Sequence, residues 1–90
     1  MTDERPKLTI ELVMRIGGRG SAEYLGKTLS RDDITFVVVP QIGDSVSWNN
    51  EWGAATCIYR IVAPDYIEIG LTACAPSEIE DFVAAGWRLR

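Results

Sequence analysis

Hydrophobic and polar residues alternate along residues 8–16, the first clearly patterned stretch of the chain. Five large apolar side chains share one side of an extended backbone there, namely Leu8, Ile10, Leu12, Met14 and Ile16. Because successive side chains of a strand point to opposite faces, the pattern predicts a strand with one buried face. Glycine-rich residues 17–20 end this strand, and one helical turn is expected at residues 22–25 before Gly26.

A second pattern runs through residues 34–71, where short β-branched and aromatic runs are separated by turn-forming residues. The turn signals lie at residues 40–44, 49–50 and 64–65, at strand-length intervals. Such spacing is typical of a meander of antiparallel strands and not of strands that alternate with long helices.

Two of the expected strands precede the asparagine turn at residues 49–50. Residues 34–39 are apolar on both faces, which indicates a central strand that ends at Pro40. Val46 and Trp48 share one face of a short strand, and the two asparagines are expected to form a tight hairpin turn.

Two further strands are expected after that turn. Residues 54–62 form a long run in which either face could be buried, and the sequence leaves this open. Residues 67–71 place isoleucine and leucine on one face, which indicates a half-buried strand.

The hydrophobic period changes near the C-terminus, where residues 77–86 are predicted to form a helix. Ser77 and Glu80 have the spacing of a capping box, and acidic residues in a first turn favour a helix start. A buried stripe at helical spacing is expected from Ile79, Phe82 and Val83. Gly86 can end the helix in a left-handed turn, after which Trp87 is expected to fold back onto the core.

The chain has 90 residues, of which 47% are hydrophobic and 24% charged, enough for one small domain with its own core. The domain is expected to span residues 1–90, with a polar tail at residues 1–6. The pattern predicts a mainly β fold, a small antiparallel barrel or a strongly curved sheet of about five or six strands with one C-terminal helix. An α+β arrangement, an open sheet packed on that helix, is the alternative.

Nine basic and thirteen acidic residues give the chain a net charge of −4. An acidic surface repels a phosphate backbone, so nucleic acid is not an expected partner. The apolar runs are shorter than the roughly 20 residues that a membrane-spanning helix needs, and the N-terminal residues do not form an export signal. A cytoplasmic location without membrane contact is therefore expected, and Cys57 and Cys74 are interpreted as reduced, partly buried structural residues.

Gly26, Lys27 and Thr28 follow a strand and a glycine-rich loop, as in a phosphate-binding P-loop. The spacing does not fit, because Ser21 stands where that motif needs a glycine and no amphipathic helix follows. A surface turn is the preferred interpretation.

The residue types needed for most catalytic and metal sites are missing. The chain has no histidine, and two cysteines do not complete the ligand set of a zinc site. No catalytic residue, cofactor or metal is expected, and the chain is predicted not to be an enzyme. Six acids, Glu51, Asp65, Glu68, Glu78, Glu80 and Asp81, are interpreted as a solvated face, although two of them could form a carboxylate pair.

The candidate interaction surface consists of five consecutive residues, Trp48, Asn49, Asn50, Glu51 and Trp52. Two indoles beside amide side chains are able to stack on a peptide or sugar and bind its polar edges. The alternative, which is favoured, is that the tryptophans pair across the hairpin or fill the core.

Residues 39–46, Val-Pro-Gln-Ile-Gly-Asp-Ser-Val, followed by residues 59–62 and 67–71, resemble the turn-and-strand order of SH3-like small barrels. The same turn looks like that of short uncharacterised bacterial and phage-borne proteins. The resemblance covers about the middle third of the chain and implies a fold, without assigning any site residue.

Together these features predict a non-catalytic module that binds a protein partner or assembles with itself. A homodimer is one expected form, because an exposed sheet edge presents unpaired N–H and C=O groups. The alternatives are a small acidic regulator or inhibitor of a basic, nucleic-acid-handling protein, encoded by a mobile element, and a small carboxylate-dependent enzyme.

Overall fold

The computed structural model describes residues 8–48 and 54–90, and within these ranges the chain is mainly β. The described elements are β1 (Thr9–Ile16), a 3₁₀-helix (Ser21–Tyr24), β2 (Thr28–Arg31), β3 (Ser45–Ser47), β4 (Ala54–Ala63), β5 (Tyr66–Cys74), a second 3₁₀-helix (Pro76–Glu78), α1 (Ile79–Ala84) and β6 (Arg88–Leu89). The predicted mainly β fold, with about six strands and one C-terminal helix, is confirmed, but the described strands do not close into the small barrel that was one of its expected forms.

The strands form one open sheet in the order β3-β4-β5-β1-β2-β6. As the turn signals predict, β3, β4 and β5 form an antiparallel meander. The first strand departs from that pattern, because β1 pairs with β5 in parallel and with β2 antiparallel. The sheet is therefore mixed, since local turn signals specify only strands that follow each other along the chain.

One face of the sheet carries the core. Residues directly opposite each other on paired strands share a face, so the alternating apolar residues of β1 and β5 point the same way. The buried hydrophobic cluster comprises Leu12, Met14, Leu29, Val46, Trp48, Cys57, Ile67, Ile69, Leu71, Cys74, Ile79, Phe82 and Trp87. Helix α1 and Trp87, three residues after its end, therefore contribute to the same core as the sheet.

Residues 34–39 form no strand, so the predicted central strand is wrong. Phe36 and Val39 pack partly against the core, whereas Val37 and Val38 are exposed. Phe36 and Val39 thus reach the core although residues 34–39 do not pair with a described strand. Its β-branched composition is therefore overridden by tertiary context.

A β-bulge at Ile58 decides which face of β4 is buried. Cys57 pairs with Leu71 and Tyr59 pairs with Gly70, so Ile58 is an extra residue on β4. The alternation shifts there, and Cys57 faces the core whereas Tyr59 faces the opposite side of the sheet. No single alternation along residues 54–62 describes the whole strand, which is why the sequence left the question open.

The start of the helical segment differs from the prediction. The carboxylate of Glu78 accepts a hydrogen bond from the Ala75 N–H at 3.0 Å, and the Glu78 N–H donates to the Ala75 carbonyl at 3.0 Å. The predicted capping box of Ser77 and Glu80 is therefore wrong, because a 3₁₀ turn precedes α1 and moves the cap towards the N-terminus.

The end of α1 follows the prediction more closely. Gly86 has a φ of 108°, and the Trp87 N–H donates to the Phe82 carbonyl at 3.0 Å, as in a Schellman motif. This turn returns Trp87 to the core, where it is 2% exposed. Val83 was expected in the buried stripe but is 47% exposed.

In the described part of the chain no helix is long and apolar enough to cross a membrane.

Gly70 supports a close approach of the Tyr59 ring, because a Cβ atom placed there would overlap that ring. We expect Gly70→Ala to lower the free energy of unfolding by about 1–3 kcal/mol, since the ring must move. The control is Gly17→Ala, whose Cβ would meet the Ala73 Cβ at 3.4 Å, an ordinary contact. It should change the stability by less than about 0.5 kcal/mol in urea denaturation. Equal effects of the two substitutions would contradict the close packing.

Candidate interaction site

The outer edge of β4 is only partly covered. β3 pairs with residues 54–56, and the turn before β3 reaches one residue further. There the Cys57 N–H donates to the Asp44 carbonyl at 2.9 Å, and the Gly43 N–H donates to the Cys57 carbonyl at 2.8 Å. Among the described residues, no strand pairs with the outer side of residues 58–63. The C-terminal part of β4 is thus an open sheet edge.

The hairpin geometry shows which main-chain groups this edge presents. A two-residue turn at residues 64–65 joins β4 to β5, so Ala63 and Tyr66 form a hydrogen-bonded pair. Hydrogen-bonded and non-hydrogen-bonded pairs alternate along an antiparallel ladder. The N–H and C=O groups of Arg60 and Val62 therefore point away from β5, towards solvent.

The side chains along the open edge are mostly apolar and exposed. Ile58, Ile61 and Val62 are 50%, 52% and 67% exposed. Arg60 carries the one charge in β4, and its Nε is buried without a hydrogen-bond partner. Natural sheet edges are commonly protected by lysine or proline within the strand. Residues 58–63 contain neither, and the protective features that this edge carries are Arg60 and the bulge at Ile58.

Part of the preceding loop extends this apolar surface. Ile42 is 67% exposed and lies in the turn that is hydrogen bonded to Cys57. Val38, which is 74% exposed, borders a groove of about 310 Å³ beside β3. We use the name β4 edge for the surface formed by Ile42, Ile58, Arg60, Ile61 and Val62.

Trp48, the first residue of the sequence-predicted surface, lies in the core. Its ring centroid is 5.6 Å from that of Phe82 and 5.2 Å from that of Trp87, and Trp48 is 9% exposed. Tilted and edge-to-face contacts of this kind are favoured between aromatic rings. The other four residues, Asn49, Asn50, Glu51 and Trp52, lie outside the described residues, and the interaction surface stays a prediction.

The opposite face of the sheet carries two glutamates and two tyrosines in one network. The parallel register places Glu11 directly beside Glu68. The Tyr66 hydroxyl lies 2.9 Å from Glu11 Oε1 and 3.1 Å from Glu68 Oε1, and the Tyr59 hydroxyl donates to Glu68 Oε2 at 2.7 Å. The acidic pattern indicated Glu68 but not Glu11, because only the parallel register brings the two carboxylates together.

The environment of the network keeps both phenols protonated. Partial burial, followed by the hydrogen bond to Glu68, raises the pKa of Tyr59 to about 12. Burial and the hydrogen bond to Glu11 also raise the pKa of Tyr66. Since both hydroxyls remain donors at neutral pH, the network links β4, β5 and β1 across the face of the sheet that is opposite the core.

The remaining described acids of the predicted patch have separate surroundings. Glu78 caps a helical turn, Asp65 lies in the β4–β5 turn, and Glu80 and Asp81 are exposed on α1. Glu51 lies outside the described residues. Over residues 8–48 and 54–90, no group of three or more acidic, cysteine or histidine side chains is placed to hold a metal ion.

Both cysteines are free and buried. Burial raises the pKa of the Cys57 thiol and that of the Cys74 thiol. Neither group is therefore activated as a nucleophile, which agrees with their interpretation as small core residues.

Comparison with known proteins found no matching family model, no matching curated protein and no matching solved structure. The functional argument for this chain therefore depends on the geometry of its own surfaces.

The tyrosine network makes stability sensitive to alkaline pH. The pKa of Tyr59 rises from 10.0 to about 12 on folding, so the folded chain holds the phenolic proton more tightly than the unfolded chain. The resulting stabilisation is complete below pH 10.0 and is lost as the pH rises through about 12. We expect the free energy of unfolding to fall more steeply in that window for the wild type than for Tyr59→Phe.

Urea denaturation at a series of pH values measures this difference. Tyr24→Phe serves as the control, because Tyr24 makes no hydrogen bond to the network. It should keep the wild-type slope. Parallel curves for the wild type and Tyr59→Phe would show that the hydroxyl of Tyr59 does not stabilise the fold.

Proposed function

We propose that this chain is a non-catalytic interaction module that assembles with itself, by antiparallel pairing of β4 with β4 of a second copy. The observation that carries the proposal is the outer side of residues 58–63, with which no strand of residues 8–48 or 54–90 pairs, together with exposed Ile61 and Val62. Unpaired main-chain groups flanked by apolar side chains are a template for an added strand.

The β4 edge is complementary to itself. Its outward main-chain groups belong to Arg60 and Val62, which are two residues apart. A two-fold axis at Ile61 therefore sets Arg60 of each copy opposite Val62 of the other, and both pairs exchange main-chain hydrogen bonds. In this register the two Ile61 side chains meet at the axis, and neither arginine faces a like charge.

A different protein with an edge strand of its own would use the same groups. The two-fold register, in contrast, follows from the residues of this chain alone, and self-assembly is the form that the edge supports best. The alternatives drawn from the sequence, an acidic regulator of a basic protein and a carboxylate-dependent enzyme, stay predictions.

Sedimentation velocity over a concentration series up to about 1 mM tests self-assembly of the full chain. We expect the wild type to form a reversible dimer. Val62→Lys brings a second cation opposite Arg60 of the other copy, and like charges in an interface cost several kcal/mol. The dissociation constant of the dimer should therefore rise at least about tenfold.

The matched control is Val83→Lys, which adds the same charge at an exposed valine of α1, outside the β4 edge. It should leave the dimer unchanged. A wild type that remains monomeric over the whole series would overturn the proposal, and an equal loss in both variants would assign the effect to net charge.

A further inference from the structure

A pocket of about 350 Å³ lies at the corner where β1, the first 3₁₀-helix and β2 meet. Seven residues line it, namely Arg15, Ile16, Tyr24, Leu25, Gly26, Lys27 and Thr28. Two of the seven residues carry a cationic side chain and none carries an acidic one, although the chain as a whole has a net charge of −4. The pocket is thus a local positive site on an acidic protein.

The backbone builds this corner from a tight turn and a strand pair. Gly26 adopts a φ of 78°, and the Lys27 N–H donates to the Tyr24 carbonyl at 2.9 Å. Immediately afterwards the chain enters β2, where Thr28 lies directly opposite Arg15 on β1. Cross-strand partners share a face, so the Arg15 guanidinium and the Thr28 hydroxyl belong to the same side of the sheet.

Arg15 and Lys27 make no ion pair with any residue that the structure describes. Three nearby arginines are neutralised: Arg31 by Asp33 at 2.7 Å, Arg88 by Asp32 at 3.2 Å and Arg90 by Glu11 at 3.9 Å. Neither cation of the pocket is therefore engaged in an ion pair with a described residue, and both are available to a ligand.

We propose that this pocket binds a small organic phosphate that carries an apolar group. A guanidinium binds phosphate oxygens through two parallel hydrogen bonds and an ammonium acts as a mobile point charge, so Arg15 and Lys27 suit a phosphate dianion. Tyr24 and Thr28, which both carry a hydroxyl, are half-buried residues that line the same pocket. Leu25, which is 89% exposed at the same pocket, offers apolar surface to the remainder of the ligand.

This site differs from a P-loop in how it holds the anion. The Thr28 N–H already donates to the Arg90 carbonyl at 2.8 Å, and β2 follows where a P-loop has a helix. Side chains therefore hold the phosphate, and Gly26 allows the chain to turn.

Titration of the isotopically labelled full chain with phenyl phosphate, followed by amide chemical shifts, tests the proposal. We expect saturable shifts at residues 15–16 and 24–28. Inorganic phosphate, which lacks the ring, and benzoate, which lacks the second charge, should bind at least about threefold more weakly. Benzoate that binds as tightly as phenyl phosphate would overturn the assignment to phosphate, and inorganic phosphate that does so would overturn the apolar subsite.

Arg15→Gln and Lys27→Gln should each weaken phenyl phosphate binding about tenfold, since each removes a charge-assisted hydrogen bond to the phosphate. The control is Arg88→Gln, which removes the same charge from the exposed pair with Asp32 and should leave binding unchanged. Lys27 lies in an exposed turn, so its variant tests the site even if Arg15→Gln does not fold. Unchanged binding in Lys27→Gln, or an equal loss in Arg88→Gln, would overturn the proposal.

Discussion

The parallel pairing of β1 with β5 is the constraint on which the rest of the structure depends. Six consecutive pairs, from Thr9 with Tyr66 to Met14 with Leu71, fix the register at the centre of the sheet. That register sends the apolar residues of both strands to the core and sets Glu11 beside Glu68 on the other face. Because side chains alternate with a period of two, a slip of one residue would exchange the two faces. Both the core and the tyrosine network are therefore consequences of one strand pair.

The features that the sequence predicted correctly join neighbours along the chain that are also neighbours in space, although the capping box of Ser77 and Glu80 shows that local patterns can also mislead. The alternation of β1, the turn at residues 64–65 and the return of Trp87 after Gly86 all follow from local patterns. The parallel register of β1 is a contact across most of the chain, and no local pattern contains it. Residues 34–39 have strand-like composition, yet a strand needs an edge to pair with, which composition does not provide.

The candidate surfaces were predictable to different degrees. An exposed sheet edge was expected, but the sequence did not indicate which strand provides it. Only the three-dimensional structure shows that β3 is short and leaves most of β4 uncovered. The Gly-Lys-Thr turn was correctly excluded as a P-loop. The pocket beside it depends on Arg15 lying opposite Thr28 across two strands. The two proposals imply opposite effects of salt, since screening would weaken the proposed anion binding and would reduce the repulsion between two associating copies that each carry −4.

The bulge at Ile58 has a consequence for how the length of this chain can vary. A deletion of Ile58 would restore regular pairing and leave Cys57 opposite Leu71 and Tyr59 opposite Gly70, each on its present face. A deletion at any other position of β4 would instead turn the residues beyond it to the other side of the sheet. An insertion in the turn at residues 64–65 would instead lengthen an exposed connection and leave both strands in register. Related chains should thus differ in length at the tip of this hairpin or at the bulge, and keep a constant length elsewhere within β4.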